Sequence, residues 1–145
     1  MINLMPKYAA AGILGTVAMT MFLIIAPVIG MPKMAPWELL SDILGVSLVL
    51  GWVLHFAIGI LFGMGYGFIF APKIHMHNIC LKGTTYGILS LIIAQTSIFI
   101  LNMLFQISLV HDIMPWQLIV MLVGHIVFGI VTAMLIEENN VLHAF

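Results

Sequence analysis

The chain has no arginine, one cysteine and few charges: four lysines against five carboxylates in 145 residues. Each shortage excludes something. A net charge of −1 with no arginine leaves no basic patch for nucleic acid or for an anionic lipid surface, so no nucleic-acid partner is expected. Cys80 has no partner for an intrachain disulfide. Charged residues make up 6% of the chain, against roughly a quarter in soluble domains, which rules out an ordinary soluble fold. No carboxylate interrupts the apolar runs, and Gly-x-Ser-x-Gly, phosphate-loop and zincin patterns are all missing. These absences argue against hydrolysis and against a proton-coupled pump.

What is present is hydrophobic sequence, 63% of the chain. The nine charges divide it into charge-free runs at 8–32, 43–72, 83–111 and 113–136. Each run exceeds the ~20 residues that a helix needs to cross a bilayer core. A helix satisfies its own backbone in lipid, so the expected fold class is all-α: a polytopic, four-transmembrane-helix bundle. The spans are expected at about 8–29, 47–70, 83–104 and 116–136, one integral membrane domain over 1–145. Lys7 followed by an apolar stretch resembles a signal peptide. The stretch is too long for one and no Ala-x-Ala follows it, so it is expected to be the first span. Pro27 is expected to kink or end that span. Lys7, Lys73 and Lys82 fall on one side of the predicted topology and Lys33 on the other, which puts both termini in the cytoplasm.

The segment 36–44 reads as a short interfacial helix with Pro36 at its start and Trp37 as a headgroup-level anchor. The two halves also look alike. Ala35-Pro36-Trp37-Glu38 parallels Met114-Pro115-Trp116-Gln117, and the Gly12–His55 spacing nearly equals the Gly83–His125 spacing. Either a helical hairpin occurs twice in tandem, a known plan in membrane proteins, or apolar sequence matches itself by chance.

The candidate site is a pair of histidines within the spans. His55 and His125 both occur as His-x-x-x-Gly-Ile. An ionisable group in hydrocarbon is costly and marks a functional hypothesis. Under the predicted topology both lie ~12–14 Å below the outer edge, at 1.5 Å per residue. Two imidazoles at one depth suit the axial positions of one haem b iron, with His55 and His125 as ligands. Gly59 and Gly129, four residues on, would form grooves for the porphyrin edge, or would equally serve close helix packing. The histidines have a plainer reading too, as hydrogen-bond partners of Thr16, Thr20, Ser90, Gln95, Thr96 or Asn102; a proton relay or another metal is also open. Lys33 is the only outer-side cation for haem propionates. A weaker metal candidate is His75, His77 and Cys80, whose ligand types suit zinc or copper(I). His111-Asp112 is weaker still. The methionines read as gap-filling residues of the core.

Several stretches resemble an uncharacterised bacterial family of small four-span integral membrane proteins: the run Gly12 to Thr20, Ala26-Pro27, Gly30-Met-Pro-Lys33, the run Gly51 to Gly59, Tyr86-Gly87, Ala94-Gln95 and Gly124-His125. The resemblance covers nearly the whole length. It implies a bacterial inner-membrane protein and attaches no activity. The leading functional expectation is a b-type haem carrier for electron transfer, or a haem-bearing subunit of a respiratory assembly. The alternative is a cofactor-free accessory subunit or homo-oligomer that meets partners through its glycine-rich helix faces. A third reading is a channel lined by Thr20, Gln95, Thr96 and Asn102, with no gate or charged filter to support it.

Overall fold

The computed structural model describes residues 4–105 and 115–142. Among the described residues there is no strand, and four helices are long and apolar enough to cross a membrane. The helix α1 (Met5–Ile25) carries Pro6 in its first turn, where a missing N–H costs nothing. A 3₁₀ turn, Ala26–Ile29, follows and closes on Gly30 at φ +85°, so Pro27 ends the α-helix. α2 (Pro36–Leu44) is the expected short helix, with Glu38 in its first turn and Gly45 at φ +62° closing it. α3 (Leu48–Lys73) starts at Ser47, whose Oγ accepts from the Leu50 N–H, and contains a π turn at Tyr66–Phe70. α4 (Ile79–Phe105) and α5 (Pro115–Leu142) complete the described elements.

The candidate spans are Met5–Ile29, Leu48–Lys73, Ile79–Leu104 and Pro115–Glu137. They overlie the predicted ones and run further at the lysine flanks. Lys7, Lys73 and Lys82 lie inside helices, because a long basic stem can follow the helix while its ammonium reaches a polar partner. Leu61, Phe99, Met103 and others are well exposed, as a lipid-facing surface requires.

Each hairpin is closed by glycine. A Cβ on Gly12 would meet the Gly59 carbonyl and Ile60 Cα; a Cβ on Gly83 would meet the Gly129 carbonyl and Ile130 Cα. The same backbone contact therefore joins α1 to α3 and α4 to α5, which favours the tandem-hairpin reading. Small residues permit this approach where lipid supplies no hydrophobic drive between helices. The Pro-Trp parallel is not part of that likeness: Pro36 starts a short separate helix, whereas Pro115 starts α5 itself.

α1 sits between α3 and α5, and α5 packs in turn on α4. At one end of the bundle, here called the loop end, α3 and α4 are drawn together. The Tyr86 hydroxyl donates to the Phe62 carbonyl, and the Tyr66 and Tyr86 rings meet edge to face at 5.0 Å. Lys82 Nζ donates to the Ala71 carbonyl at 3.2 Å and pairs with Glu137 at 2.8 Å. The Tyr66 hydroxyl also donates to Glu137, at 3.1 Å. Lys82 is buried, so its charge is tolerated there through this pairing. Toward the other end, capped by α2, α3 and α4 part.

Candidate functional site

The parting of α3 and α4 leaves a cavity of about 680 Å³, within the ordinary range of roughly 300–1,000 Å³ for small-molecule sites. Its walls are mostly apolar. α1 contributes Thr16 and Met19, and α5 contributes Met121 and Phe128. One side is α3 at Ile58, Gly59 and Leu61, and the other is α4 from Ile93 to Asn102. α2 roofs it with Leu39, Leu40 and Ile43. At the loop end the Phe62 and Phe128 rings meet at 6.3 Å and close it.

Both expected histidines line this one cavity, and both are buried. They reach it from helices that flank α1. Their surroundings differ. His125 Nδ1 lies 2.9 Å from the Met121 carbonyl. A carbonyl only accepts, so Nδ1 carries the proton, and in the neutral ring Nε2 holds a lone pair. His55 Nε2 is instead hydrogen-bonded to Thr20 Oγ1 at 3.1 Å. Its ring is enclosed by aromatics, with Trp37 at 5.8 Å, Phe56 at 5.8 Å and Trp52 at 6.4 Å. Trp37 and Trp52 stack on each other at 4.1 Å. Trp37 is 7% exposed, so it faces the protein and not the headgroups expected of an anchor. Gly51 makes room for this: a Cβ there would strike the Trp37 carbonyl and Ser41 of α2.

The glycines divide. Gly59 borders the cavity, yet the space beside its Cα is taken by the Thr16 side chain. Gly129 lies against Gly83 and Gly87 of α4 and does not line the cavity. The glycine stripes are thus used for contacts within the chain, including Gly63 on Gly12 and Gly67 on the Tyr8 ring. Of the two glycines expected beside a porphyrin, Gly59 borders the cavity and Gly129 does not.

His75, His77 and Cys80 are all exposed near the loop that joins α3 to α4. Among the described residues no three His, Cys, Asp or Glu groups converge as a metal site would need. His111 and Asp112 lie outside the described residues. Of the polar residues in the channel reading, Gln95 and Asn102 line the cavity, while Thr20 reaches His55 from below. Asn102 Oδ1 is buried without a hydrogen-bond partner. The Lys82–Glu137 pair escaped sequence reasoning, because both residues read as span flanks. The spacing of Thr20 from His55 carried no signal beyond its presence among candidate partners.

The chain belongs to a family of unknown function, DUF6789, whose model matches residues 3–140. No curated protein and no solved structure matches it.

Proposed function

We propose that this membrane protein binds one b-type haem in the cavity beside α2, between His55 and His125, and that it carries single electrons there, alone or as a subunit of a respiratory assembly. One observation carries this reading: two imidazoles from different helices open onto a single, largely apolar cavity. The Met121 carbonyl adds support, because it holds the His125 proton on Nδ1 and leaves Nε2 as a ligand atom. His55 is positioned by Thr20 and by the aromatic rings around it. Lys33 lies at the cavity rim, bonded to Glu38 at 2.8 Å, and is the cation nearest to where propionates would emerge. The lysine distribution supports placing the α2 end outside and the termini in the cytoplasm of a bacterial inner membrane.

The test is the optical spectrum of gently solubilised protein produced with ample haem, oxidised and then dithionite-reduced. Sharp reduced α and β bands are expected, lost in His125→Ala and in His55→Ala. A colourless protein under those conditions sinks the haem reading. The accessory-subunit reading would then lead, and its evidence would be a partner that co-purifies.

A further inference from the structure

We infer that the cavity exchanges its ligand sideways with the bilayer, through the gap between α3 and α4, and that it is shaped for a membrane-borne amphiphile with an apolar body and a hydrogen-bonding head. This rests on the reading that the cavity holds a ligand, but not on which ligand it holds.

The hairpin likeness locates the gap. If α4 corresponds to α1 and α5 to α3, then the contact of α1 with α5 has a counterpart in a contact of α4 with α3. The first contact is closed: a Cβ on Gly15 would run into Thr132 and the Phe128 ring. The second is closed only toward the loop end, at Tyr86 and Lys82. Beyond Ser90 the residues of α4 that would complete it, Ala94, Ser97, Ile98 and Leu101 among them, line the cavity instead. The cavity is therefore the unfilled half of a helix contact.

Among the described residues the other sides are covered, except at the polar rim of Lys33 and Glu38, whose side chains are exposed. α2 roofs the cavity, held down by the Trp37–Trp52 stack. α1 and α5 floor it, and Phe62 with Phe128 seals the loop end. At the gap, Leu61 is 66% exposed and Ile93 44% exposed, and both also line the cavity. In a bilayer such residues face lipid, so an apolar chain passes between them without leaving hydrocarbon. The polar groups that line the interior include the two imidazoles and, on α4, the partnerless Asn102 Oδ1. An unpaired buried acceptor of this kind favours a head group that donates a hydrogen bond.

Photolabelling tests the route in the full chain. The protein is placed in phosphatidylcholine nanodiscs that contain a phospholipid with a diazirine within its acyl chain, irradiated, and mapped by peptide mass spectrometry. Met19 and Met121 are only 6% and 7% exposed, and both line the cavity. They are expected to be labelled along with the outward Phe99 and Met103. The variant Ala94→Trp, which plugs the gap, is expected to lower labelling of Met19 and Met121 severalfold while leaving Phe99 and Met103 unchanged. Ser97→Phe provides a second plug should the first variant fold poorly. Labels confined to outward residues overturn the route, as do cavity labels indifferent to both plugs. Cavity labelling of a colourless protein keeps the route and removes haem; a red protein whose haem-free form takes no cavity label does the reverse.

Discussion

The two hairpins, α1 with α3 and α4 with α5, share a backbone contact and differ in everything built on it. Gly12 against Gly59 and Gly83 against Gly129 bring each helix pair to the same close approach. In the first hairpin the histidine is bonded to a threonine on the neighbouring helix and flanked by a Trp37–Trp52 stack that forms because α2 folds back. In the second it is bonded to its own helix, four residues earlier. The first imidazole is held by tertiary structure, the second by local structure. A repeated scaffold thus presents two rings to the same cavity, one held by a neighbouring helix and one by its own.

The comparison can be broken most forcefully where the hairpins are tied together. Lys82→Met leaves the half-buried Glu137 beside Tyr66 without its cation; loss of a fully buried partner costs about 3–5 kcal/mol, and the cost here should approach the lower end of that range. Thermal unfolding in detergent should show that drop, and Lys82→Met with Glu137→Gln should recover part of it. A single variant as stable as the wild type would mean that the loop end does not depend on the pair. Next come Gly12→Val and Gly83→Val. Each should cost about 1–3 kcal/mol or more by forcing side-chain atoms into facing backbone. Equal losses would sharpen the likeness of the hairpins, and a loss in only one would break it.

Thr20→Val tests the difference itself. It removes the hydroxyl from His55 and should cost about 1 kcal/mol, with no counterpart available for His125 because its partner is main chain. In a haem-bearing protein the same variant should shift the reduced bands or weaken haem retention; unchanged stability and spectrum would show that His55 is not positioned by Thr20. The smallest effect is expected at the rim. Lys33 and Glu38 form an exposed pair, with side chains 65% and 43% exposed, so Lys33→Gln should change stability by less than about 1 kcal/mol. A large change there would mean that α2 is held in place by charge and not by the Trp37–Trp52 stack.

Much of this was legible in the residues. Charge-free runs located the four helices, since charge is what the bilayer refuses, and Pro36 marked the start of α2 in local code. The histidine pair was legible because an ionisable group stands out against hydrocarbon. Thr20 could be named as a candidate partner but not selected, because selection depends on how α1 lies against α3. Gly129 was ambiguous for the same reason: a small residue permits a close approach without saying by what. Trp37 was misread as an anchor, since an amphipathic pattern shows which side is apolar but not whether lipid or protein covers it. The Lys82–Glu137 pair joins positions far apart in the chain, and flanking charges give no hint that they turn inward. The cavity was least legible of all, because it arises from a contact that two helices fail to complete.

The π turn at Tyr66–Phe70 bears on how such a chain tolerates changes in length. The stripe Gly51, His55, Gly59, Gly63 and Gly67 advances by four residues at a time, and on an ideal α-helix each step drifts ~40° around the axis, because a residue turns ~100°. A wide turn takes up part of that drift, which suits the placing of Gly67 against the Tyr8 ring on the same neighbour that Gly63 meets. It works as a vernier set into the helix. Removing one residue from this turn would return it to α geometry, so the helix beyond would keep its facing and the Ala71 carbonyl would stay near Lys82, with His55 untouched. A one-residue deletion there should therefore be absorbed, whereas the same deletion between His55 and Gly63 would rotate everything after it by ~100° relative to the histidine.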